Sequence, residues 1–600
     1  MGIEKFFNSL KKSYGEEIIK ILSKNSSLDE EYLLIDFNSI IHNISSSLVS
    51  TIKYIYQIYL ISLKNKNIFV DAEYTILLNL NNLIYDDELI LSSINFSKLT
   101  VDDINEKLFV VIKDNLDTLL IHKICNYIKI LINKFSNLKL LYMAIDGVPL
   151  YAKMIEQRKR RFINYIVELA KNKIFEDSKS QLDNDEYFYN QYQYELFIKR
   201  IEFSKNRISP GSKFMIYLEK YILNYFNNLL KKNNLLKKNN LQIILDGFNN
   251  PGEGEKKIVF KIHEIPKNSK IMTYSPDGDV ILLMLLEIKD KNIKIMRFDQ
   301  QLNQIDLINI NKLKNIIHQY MNDTKDYIIK DIVMLLTVLG NDFLPKLELI
   351  NTNKHIEIIL ECYKKINGNI FQTNLINWNL LKDFFIELNN KINKTNEKPK
   401  KIYRNKEFKN DKDTYLNQNS IEYKKKIFDL EQLSNTYNPD YYNNITKRFS
   451  YNNISHSRQI SNNNTKLYLC GFLWLKDYYL NDELKYNYFY YKYNNAPSIE
   501  NIINMLSKNN KINDKKLYKK LNKYVIPYDK YFTPKLQLKF ITPRKLKINL
   551  FIKNSKVNIY DYLECKNAVY NSKCIIKNIK LKNGKKLLNK FFNTTKSIQK

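Results

Sequence analysis

Seven acidic residues end short apolar runs or lie in the turns that follow them. They occur in YLLIDFNS, MAIDGVPL, PGEGEKK, YSPDGDVIL and VLGNDFLP, and they are Asp36, Asp146, Glu253, Glu255, Asp277, Asp279 and Asp342. A carboxylate in an apolar setting is costly unless a positive charge joins it. Two divalent ions held by clustered carboxylates can activate water for phosphodiester hydrolysis. The pattern predicts a two-metal hydrolytic site, although each acid taken alone is more typical of an ordinary surface carboxylate.

A basic sequence, YAKMIEQRKRRF, follows Asp146 closely. Its residues Lys153, Gln157, Arg160 and Arg161 are related by offsets of four, seven and eight, which places them on one face of a helix. Arginine holds a phosphate through forked donors, and lysine adds a point charge. We expect this face to bind a terminal phosphate such as a 5′-monophosphate. The alternative is a solvated basic helix or a nonspecific contact with a nucleic-acid backbone.

Three further features could contact a nucleic acid or support the acids. His42 follows Asp36 by six residues and could stack on a base, although a solitary histidine is more often structural. Residues 478–493 alternate Tyr and Phe with Asn and Lys, which suits stacking on single-stranded bases. We expect most of this run to pack between domains and one or two members to face the nucleic acid. Asn341 is placed to orient Asp342 or a metal shell.

The charge balance favours a polyanionic partner. The 600 residues include 95 Lys and Arg against 63 Asp and Glu, a formal charge of +32, and 44 tyrosines offer stacking faces. Nucleic acid is therefore the leading class of partner. The bias towards Asn, Lys, Ile and Tyr also suits an AT-rich genome, such as that of a large DNA virus or a protist, and lysine-rich loops can be mere solvated surface.

Cysteine usage and hydropathy bound the cellular setting. Five cysteines lie far apart and form no CxxC pair, which argues against a zinc ribbon and a disulfide scaffold. A reducing compartment fits, so we expect the cytoplasm, with the nucleus as an alternative and the viral factory or virion if the chain is viral. No apolar stretch approaches the roughly 18 residues needed to cross a bilayer, and no membrane partner is expected.

The elements that must position the acids alternate strands with helices. Short apolar runs of strand length are YLLID, LKLLYMAID, LQIILDG and SKIMTYSPD. They predict an α/β fold with a mixed, largely parallel sheet flanked by helices, in which ligands gather beyond the carboxyl ends of strands. We predict a nuclease domain at 1–350 with a helical insertion at about 44–135, a helical and polar linker at 351–460, and a mostly helical, aromatic-rich second region at 461–600 with a basic tail.

Taken together, these segments resemble the XRN family of 5′-to-3′ exoribonucleases. The resemblance is carried, in order, by MGIEKFF, LLIDFNSIIHN, AIDGVPLYAKMIEQRKRRF, ISPGSKFM, PGEGEKKI, SPDGDVILL and LGNDFLP. It resumes more loosely at GFLWLKDYY and YYKYNNAPS. The segment between Asp36 and Asp146 is longer than the family usually has.

The resemblance implies a PIN/FEN-like nuclease core with two Mg²⁺ ions, replaceable by Mn²⁺, held by the seven acids. It implies processive degradation of single-stranded RNA that bears a 5′-monophosphate, as in messenger RNA decay, with release of nucleoside 5′-monophosphates. It further implies that the four residues of the basic face grip the 5′-phosphate and that His42 stacks with the terminal bases. Phe489 would lie across the channel, where the family has Trp.

Two rival functions stay open on the sequence. A flap-type structure-specific DNA nuclease also uses acids at strand ends, and preference for DNA flaps over 5′-monophosphorylated RNA would favour it. A catalytically inactive RNA-binding protein would bind RNA without Mg²⁺ and release no nucleotide.

Overall fold

The computed structural model of the protein describes residues 3, 6–23, 26–64, 116–158, 160–161, 205–232, 241–288, 290–299, 304–347, 349–350, 352–366, 368–372, 375–394, 458–481, 485–493, 496–508, 512–526 and 531–541. The middle of the predicted insertion, most of the predicted linker and the basic tail lie outside these residues.

A seven-stranded sheet forms the centre of the described structure, in the order β1-β7-β6-β5-β2-β3-β4. The strands are β1 Ile19–Ile21, β2 Tyr32–Asp36, β3 Leu140–Ala144, β4 Gln242–Asp246, β5 Lys270–Tyr274, β6 Asn292–Asp299 and β7 Gln304–Asn309. The five strands from β6 to β4 run parallel, while β7 and β1 add antiparallel pairs at one side. The predicted mixed, largely parallel sheet is confirmed.

The strand register brings the carboxyl ends of β5, β2, β3 and β4 level with one another. Asp36 pairs with Ala144, Ala144 pairs with Asp246, and Ile35 pairs with Tyr274. Each pairing joins the last or next-to-last residues of adjacent strands. Acids that follow these strands therefore start from the same edge of the sheet.

Helices cover both faces of the sheet. In the first region they are α1 Phe6–Ile18, α2 Phe37–Lys64, α3 Leu116–Ile132, the basic helix α4 (residues 151–158 and 160–161), α5 Lys213–Lys232, α6 Gly254–Glu264, α7 Asp279–Glu287, α8 Ile310–Met321 and α9 Asp326–Leu336, with 3₁₀ turns at Lys205–Arg207 and Thr337–Leu339. Alternate side chains of β2 serve the two faces. Leu33 packs with the cluster that contains α2, α3 and α5, and Leu34 packs with α6, α7 and α9.

The described residues after 350 are helical, which agrees with the predicted mostly helical second region. Helices α10 Thr352–Ile366 and α11 Trp378–Lys394 lie within the range predicted as a linker. They are followed by α12 Arg458–Leu480, α13 Ile499–Ser507, α14 Asp514–Leu521 and α15 Pro534–Ile541, with a 3₁₀ turn at Asn522–Tyr524. Trp474 of α12 is fully buried and belongs to the same apolar cluster as Leu282 of α7. The second region thus extends the core of the first. None of the described helices is both long and apolar enough to traverse a bilayer.

Candidate active site

Asp36 and Asp146 converge on the first residue of α6. The backbone N–H of Gly254 donates to Oδ1 of Asp146 at 2.7 Å. A Cβ placed on Gly254 would lie 3.2 Å from Oδ1 of Asp36 and 3.4 Å from Oδ1 of Asp146. Both carboxylates can approach the amino end of the helix because residue 254 has no side chain. The helix N-terminus also favours negative charge there.

The paired acids Glu253 and Glu255 flank this glycine. Glu253 is the N-cap residue of α6, and Glu255 lies in its first turn. Lys153 of the basic helix reaches Oε2 of Glu253 at 2.7 Å and Oδ2 of Asp342 at 2.5 Å. The structure therefore places Lys153 between two of the predicted metal ligands. It links the basic helix directly to the acid cluster, by which we mean the seven acids named above.

Asp277 and Asp279, which follow β5, are held at the same site by hydrogen bonds. The Ser275 hydroxyl donates to Oδ2 of Asp36 at 3.3 Å, and its oxygen accepts from the backbone N–H of Asp277, also at 3.3 Å. Oδ1 of Asp279 accepts from the backbone N–H of Ile3 at 2.8 Å. Ser275 thus holds the turn after β5 against the end of β2.

The turn after α9 presents Asp342. Gly340 has a φ of 88°, and a Cβ there would lie 2.8 Å from the backbone N of Lys346, so only glycine fits. Oδ1 of Asn341 accepts from the backbone N–H groups of Phe343 and Leu344 at 3.0 and 2.9 Å. Asn341 supports Asp342 by fixing this turn.

Burial and mutual repulsion strongly shift the pKa values of the acids. Burial raises the pKa of Asp36 well above its usual range, and the charges of Asp146 and Asp277 add to the effect. Burial and the charge of Glu253 do the same to the pKa of Glu255. Asp277 and Asp342 are exceptions: burial would raise the pKa of each carboxyl, but nearby positive charge, including the Lys153 ammonium, more than offsets this and lowers it. The cluster holds more negative charge than the protein neutralises.

A divalent cation fits this donor set by its chemistry. The acids offer buried carboxylate oxygens, which are the ligands that Mg²⁺ and Mn²⁺ prefer. Among the described residues, no three or more Asp, Glu, His or Cys side chains already form a group that could hold an ion. The ammonium of Lys153 provides the positive charge between Glu253 and Asp342 in this arrangement. The seven acids are the residues that would hold an ion.

The basic face lies beside the acid cluster and contains an unpaired donor. Nη2 of Arg161 donates to Oγ of Ser209 at 2.6 Å, while its Nη1 is buried and has no hydrogen-bond partner in the described part of the chain. Nη1 of Arg160 lies 3.8 Å from Oε1 of Glu156. Burial and the charges of Lys205, Arg160 and Arg161 lower the pKa of His42 to about 4. His42 therefore lies within the electrostatic influence of both arginines.

Phe489 does not lie on an open surface. Its ring is 1% exposed and packs against Trp474 and Tyr524, with ring centroids 5.5 and 5.3 Å away. It could stack on a base only by leaving the core, so the structure gives no support to the predicted contact across the channel. The neighbouring ring of Tyr488 stacks on Tyr151 at 3.9 Å. Much of the aromatic run packs between the two regions, in the manner expected for most of its members.

Sequence reasoning missed Lys257, a buried lysine that holds the strand ends next to Asp146 in place. Its Nζ donates to the backbone oxygens of Ile145 and Gly247, both at 2.8 Å, and to Oδ1 of Asp246 at 3.0 Å. Ile145 directly precedes Asp146, while Asp246 and Gly247 lie at the end of β4, so Lys257 ties the ends of β3 and β4 together. Its position in α6, one turn after Glu253, was the available signal. In the sequence it resembled another surface lysine of the KK pair.

Comparison with known proteins finds an exonuclease family that matches part of the chain. Residues 74–299 match the family model described as "XRN 5′-3′ exonuclease N-terminus". This part of the chain is therefore similar to the N-terminal domain of the XRN family. That family's N-terminal domain has a PIN-like fold, which agrees with the predicted core. The matched range includes five of the seven acids and all four residues of the basic face.

Several curated proteins are similar to parts of the chain. A protein of Acanthamoeba polyphaga mimivirus, provisionally named a 5′-3′ exonuclease, is 35% identical over 193 residues, which is 29% of this chain and 30% of the relative. The 5′-3′ exoribonuclease 1 of Saccharomyces cerevisiae is 28% identical over 271 residues, 40% of this chain and 17% of the relative. That of Schizosaccharomyces pombe is 27% identical over 303 residues, 44% and 21% respectively. The matched segments span less than a third of each of these relatives.

Proposed function

We propose that this protein is a metal-dependent 5′-to-3′ exoribonuclease. It would degrade single-stranded RNA with a 5′-monophosphate, processively, to nucleoside 5′-monophosphates. The observation that carries the proposal is the double contact of Lys153 with Glu253 and Asp342. That contact places the basic helix, with its two arginines, beside the convergent carboxylates. The names of the XRN relatives support the same activity.

The basic helix sets the distance between end binding and cleavage. Arg160 lies seven positions after Lys153, which is about 10 Å along a helix axis. A terminal phosphate held by Arg160 and Arg161 would therefore place a scissile phosphate near the acids roughly one nucleotide further on. This spacing supports the release of single nucleotides rather than longer fragments.

The position of the broken P–O bond explains how one round of cleavage could lead to the next. Bound divalent ions would lower the pKa of the attacking water and neutralise charge on the scissile phosphate. Water adds to phosphorus and the bond to the 3′-oxygen of the first nucleotide breaks. The released nucleoside 5′-monophosphate gains a 3′-hydroxyl, and the shortened RNA keeps a new 5′-monophosphate. That end is again a ligand for Arg160 and Arg161, which supports processive degradation.

Three side chains would select the form of the terminal nucleotide. With a pKa of about 4, His42 is neutral near pH 7 and can offer an uncharged ring to a base. Arg161 has a buried Nη1 without a partner among the described residues, and a phosphate oxygen would supply one. Buried Glu156, close to Arg160, would repel the additional charge of a 5′-triphosphate. End selection thus follows from charge as well as size.

An assay of end choice and metal dependence tests the proposal. Uniformly labelled RNAs with 5′-monophosphate, 5′-triphosphate or 5′-hydroxyl ends are incubated with Mg²⁺, Mn²⁺ or EDTA, and a matching DNA flap is included. We expect nucleoside 5′-monophosphates from the 5′-monophosphate RNA, with Mg²⁺ or Mn²⁺ only. Faster cleavage of the flap would favour the DNA nuclease, and binding without any release of nucleotide would indicate an inactive RNA-binding protein. Addition of an unlabelled RNA trap after initiation measures processivity.

A further inference from the structure

The last described helix of the second region packs directly on the basic helix. The guanidinium of Arg158 lies 4.6 Å from the ring centroid of Phe540, and the hydroxyl of Tyr531 donates to the backbone oxygen of Pro149 at 3.1 Å. Tyr151 and Met154 share an apolar cluster with Phe540. Helix α15 therefore forms a wall beside the residues predicted to bind the terminal phosphate.

One polar side chain of α15 contacts a residue of the basic face, Gln157. Gln537 is 0% exposed, and its Nε2 donates to Oε1 of Gln157 at 3.4 Å. The backbone N–H of Gln537 donates to the oxygen of Thr533 at 2.8 Å, which fixes the first turn of the helix. The backbone of Gln537 is thus fixed by its own helix, and its side-chain amide faces the basic helix.

This contact decides which end of the Gln157 amide stays available. A glutamine amide has one acceptor oxygen and one NH₂ donor group. Because Oε1 of Gln157 accepts from Gln537, its NH₂ group is the end left for a ligand. A phosphate oxygen needs a donor, and an amide oxygen turned towards it would repel it. Fixing this orientation therefore prepares Gln157 for an anion.

Two buried atoms near the contact have no hydrogen-bond partner in the described part of the chain. They are Oε1 of Gln537 and Nη1 of Arg161. Arg161 follows Gln157 by four positions, so both lie on the same side of the basic helix. Unpaired buried polar atoms are costly, and a bound molecule with both acceptors and donors would satisfy the pair. A nucleotide end has phosphate oxygens and sugar hydroxyls.

We propose that Gln537 is a positioning residue of the 5′-phosphate pocket, which acts from the second region by fixing the amide of Gln157 as a donor. The inference rests on the proposed function, because it assigns Gln537 to the same terminal-phosphate site. It also gives the second region a part in selecting the RNA end. Recognition of the substrate then requires both regions of the chain.

Substitutions of Gln537 in the full chain test this role. Gln537→Met keeps the length of the side chain and removes the donor, and Gln537→Glu replaces the donor by an acceptor with a negative charge. We expect KM for 5′-monophosphorylated RNA to rise roughly tenfold in the methionine variant and further in the glutamate variant, with kcat changed much less. The preference for a 5′-monophosphate over a 5′-hydroxyl end should fall by the same factor. The double variant Gln157→Met, Gln537→Met should be little worse than Gln157→Met alone.

A matched control separates positioning from packing. Leu536→Ala trims the neighbouring residue, which packs in the same apolar cluster, and should lower the melting temperature without changing the end preference. If both Gln537 variants keep the wild-type preference, or if the effects of Gln157→Met and Gln537→Met simply add, the role of Gln537 is overturned and the proposed function stands. If the wild-type protein shows no preference for a 5′-monophosphate, the pocket and the role of Gln537 both fall.

Discussion

Nζ of Lys153 lies 2.5 Å from Oδ2 of Asp342, and this contact joins the basic helix to the turn after α9 across 189 positions of sequence. The same ammonium lies 2.7 Å from Oε2 of Glu253. A lysine between two buried acids offsets part of their negative charge and fixes their separation. It is therefore the contact through which end binding and catalysis can influence each other.

Replacement of Lys153 by Met should expose the repulsion between Glu253 and Asp342. Removal of one partner from a buried ion pair leaves uncompensated charge, so we expect the free energy of unfolding to fall by about 3 kcal/mol in EDTA. Saturating Mg²⁺ should recover part of that loss, because a cation can replace the ammonium. Urea titrations with and without Mg²⁺ measure both effects. Lys391→Met, at the exposed pair with Glu361, serves as the control. It should show neither the loss of stability in EDTA nor a recovery in Mg²⁺. Equal losses of stability in both variants would argue against the role of Lys153.

A methyl group on Gly254 should disable the acid cluster. In Gly254→Ala the new Cβ would lie 3.1 Å from the backbone oxygen of Ala144 and 3.2 Å from Oδ1 of Asp36. We expect a stability loss of about 1–3 kcal/mol from this crowding and a much larger proportional loss of RNA degradation. Thermal unfolding and single-turnover degradation measure the two. Gly15→Ala, in the interior of α1 with no atom nearer than 3.5 Å, should be neutral or slightly stabilising, and a wild-type rate for Gly254→Ala would contradict the proposed geometry.

Replacement of Lys257 should displace Asp146 and slow catalysis, but it should not weaken RNA binding. Lys257→Met leaves the backbone oxygens of Ile145 and Gly247 without their buried donor, which should cost about 3 kcal/mol in the free energy of unfolding. The rate of degradation should fall, while affinity for 5′-phosphorylated RNA in EDTA stays near that of the wild type. Lys261→Met on the same helix, where the lysine pairs with Glu264 at the surface, is the matched control. Unchanged turnover in Lys257→Met would remove Lys257 from the site.

Conversion of Arg161 to Lys should weaken recognition of the terminal phosphate. Arginine can bond Ser209 through Nη2 and still offer Nη1 to a ligand, whereas lysine offers a single point charge. Loss of one charge-assisted bond should lower affinity for 5′-monophosphorylated RNA roughly tenfold to a hundredfold. Fluorescence anisotropy with EDTA present measures this, and a 5′-hydroxyl RNA is the control. Equal weakening for both RNAs would mean that Arg161 contacts the backbone in general rather than the end.

Asp331 should make stability depend on pH away from the catalytic acids. Its carboxylate accepts from the backbone N–H groups of Ile370 and Phe371 and from the hydroxyl of Tyr363, and burial raises its pKa from 3.8 to about 6. A raised folded-state pKa means that the folded protein binds the proton more tightly. The contribution to stability is therefore fully present below pH 3.8 and is lost as pH rises through about 6.

Urea titrations of the wild type and Asp331→Asn at several pH values isolate this contribution. Between pH 7 and pH 5 we expect the wild type to gain about 1 kcal/mol relative to the variant. The variant has no carboxyl at this position, so other acids contribute equally to both proteins and cancel in the comparison. Parallel stability curves over this range would show that the pKa of Asp331 is not raised.

Much of the site follows from local sequence. The apolar runs before Asp36, Asp146 and Asp277 predict parallel strands, and adjacent parallel strands must end at the same edge of the sheet. The offsets within YAKMIEQRKRRF predict one helical face because a helix repeats every 3.6 residues. A small residue between Glu253 and Glu255 predicts a close approach, which Gly254 makes. These predictions need only the pattern within each segment and the rule that adjacent parallel strands end at the same edge of a sheet.

Only the tertiary structure decides which partners those segments meet. The contact of Lys153 with Asp342 and that of Gln157 with Gln537 join positions 189 and 380 residues apart, and no local pattern specifies them. Burial is also a property of the whole fold: Lys257 resembled a surface charge and is enclosed, and Phe489 resembled a stacking face and lies in the core. The sequence determined which groups could do chemistry, because their types and spacing are local. Packing of distant segments decided which of them share one pocket.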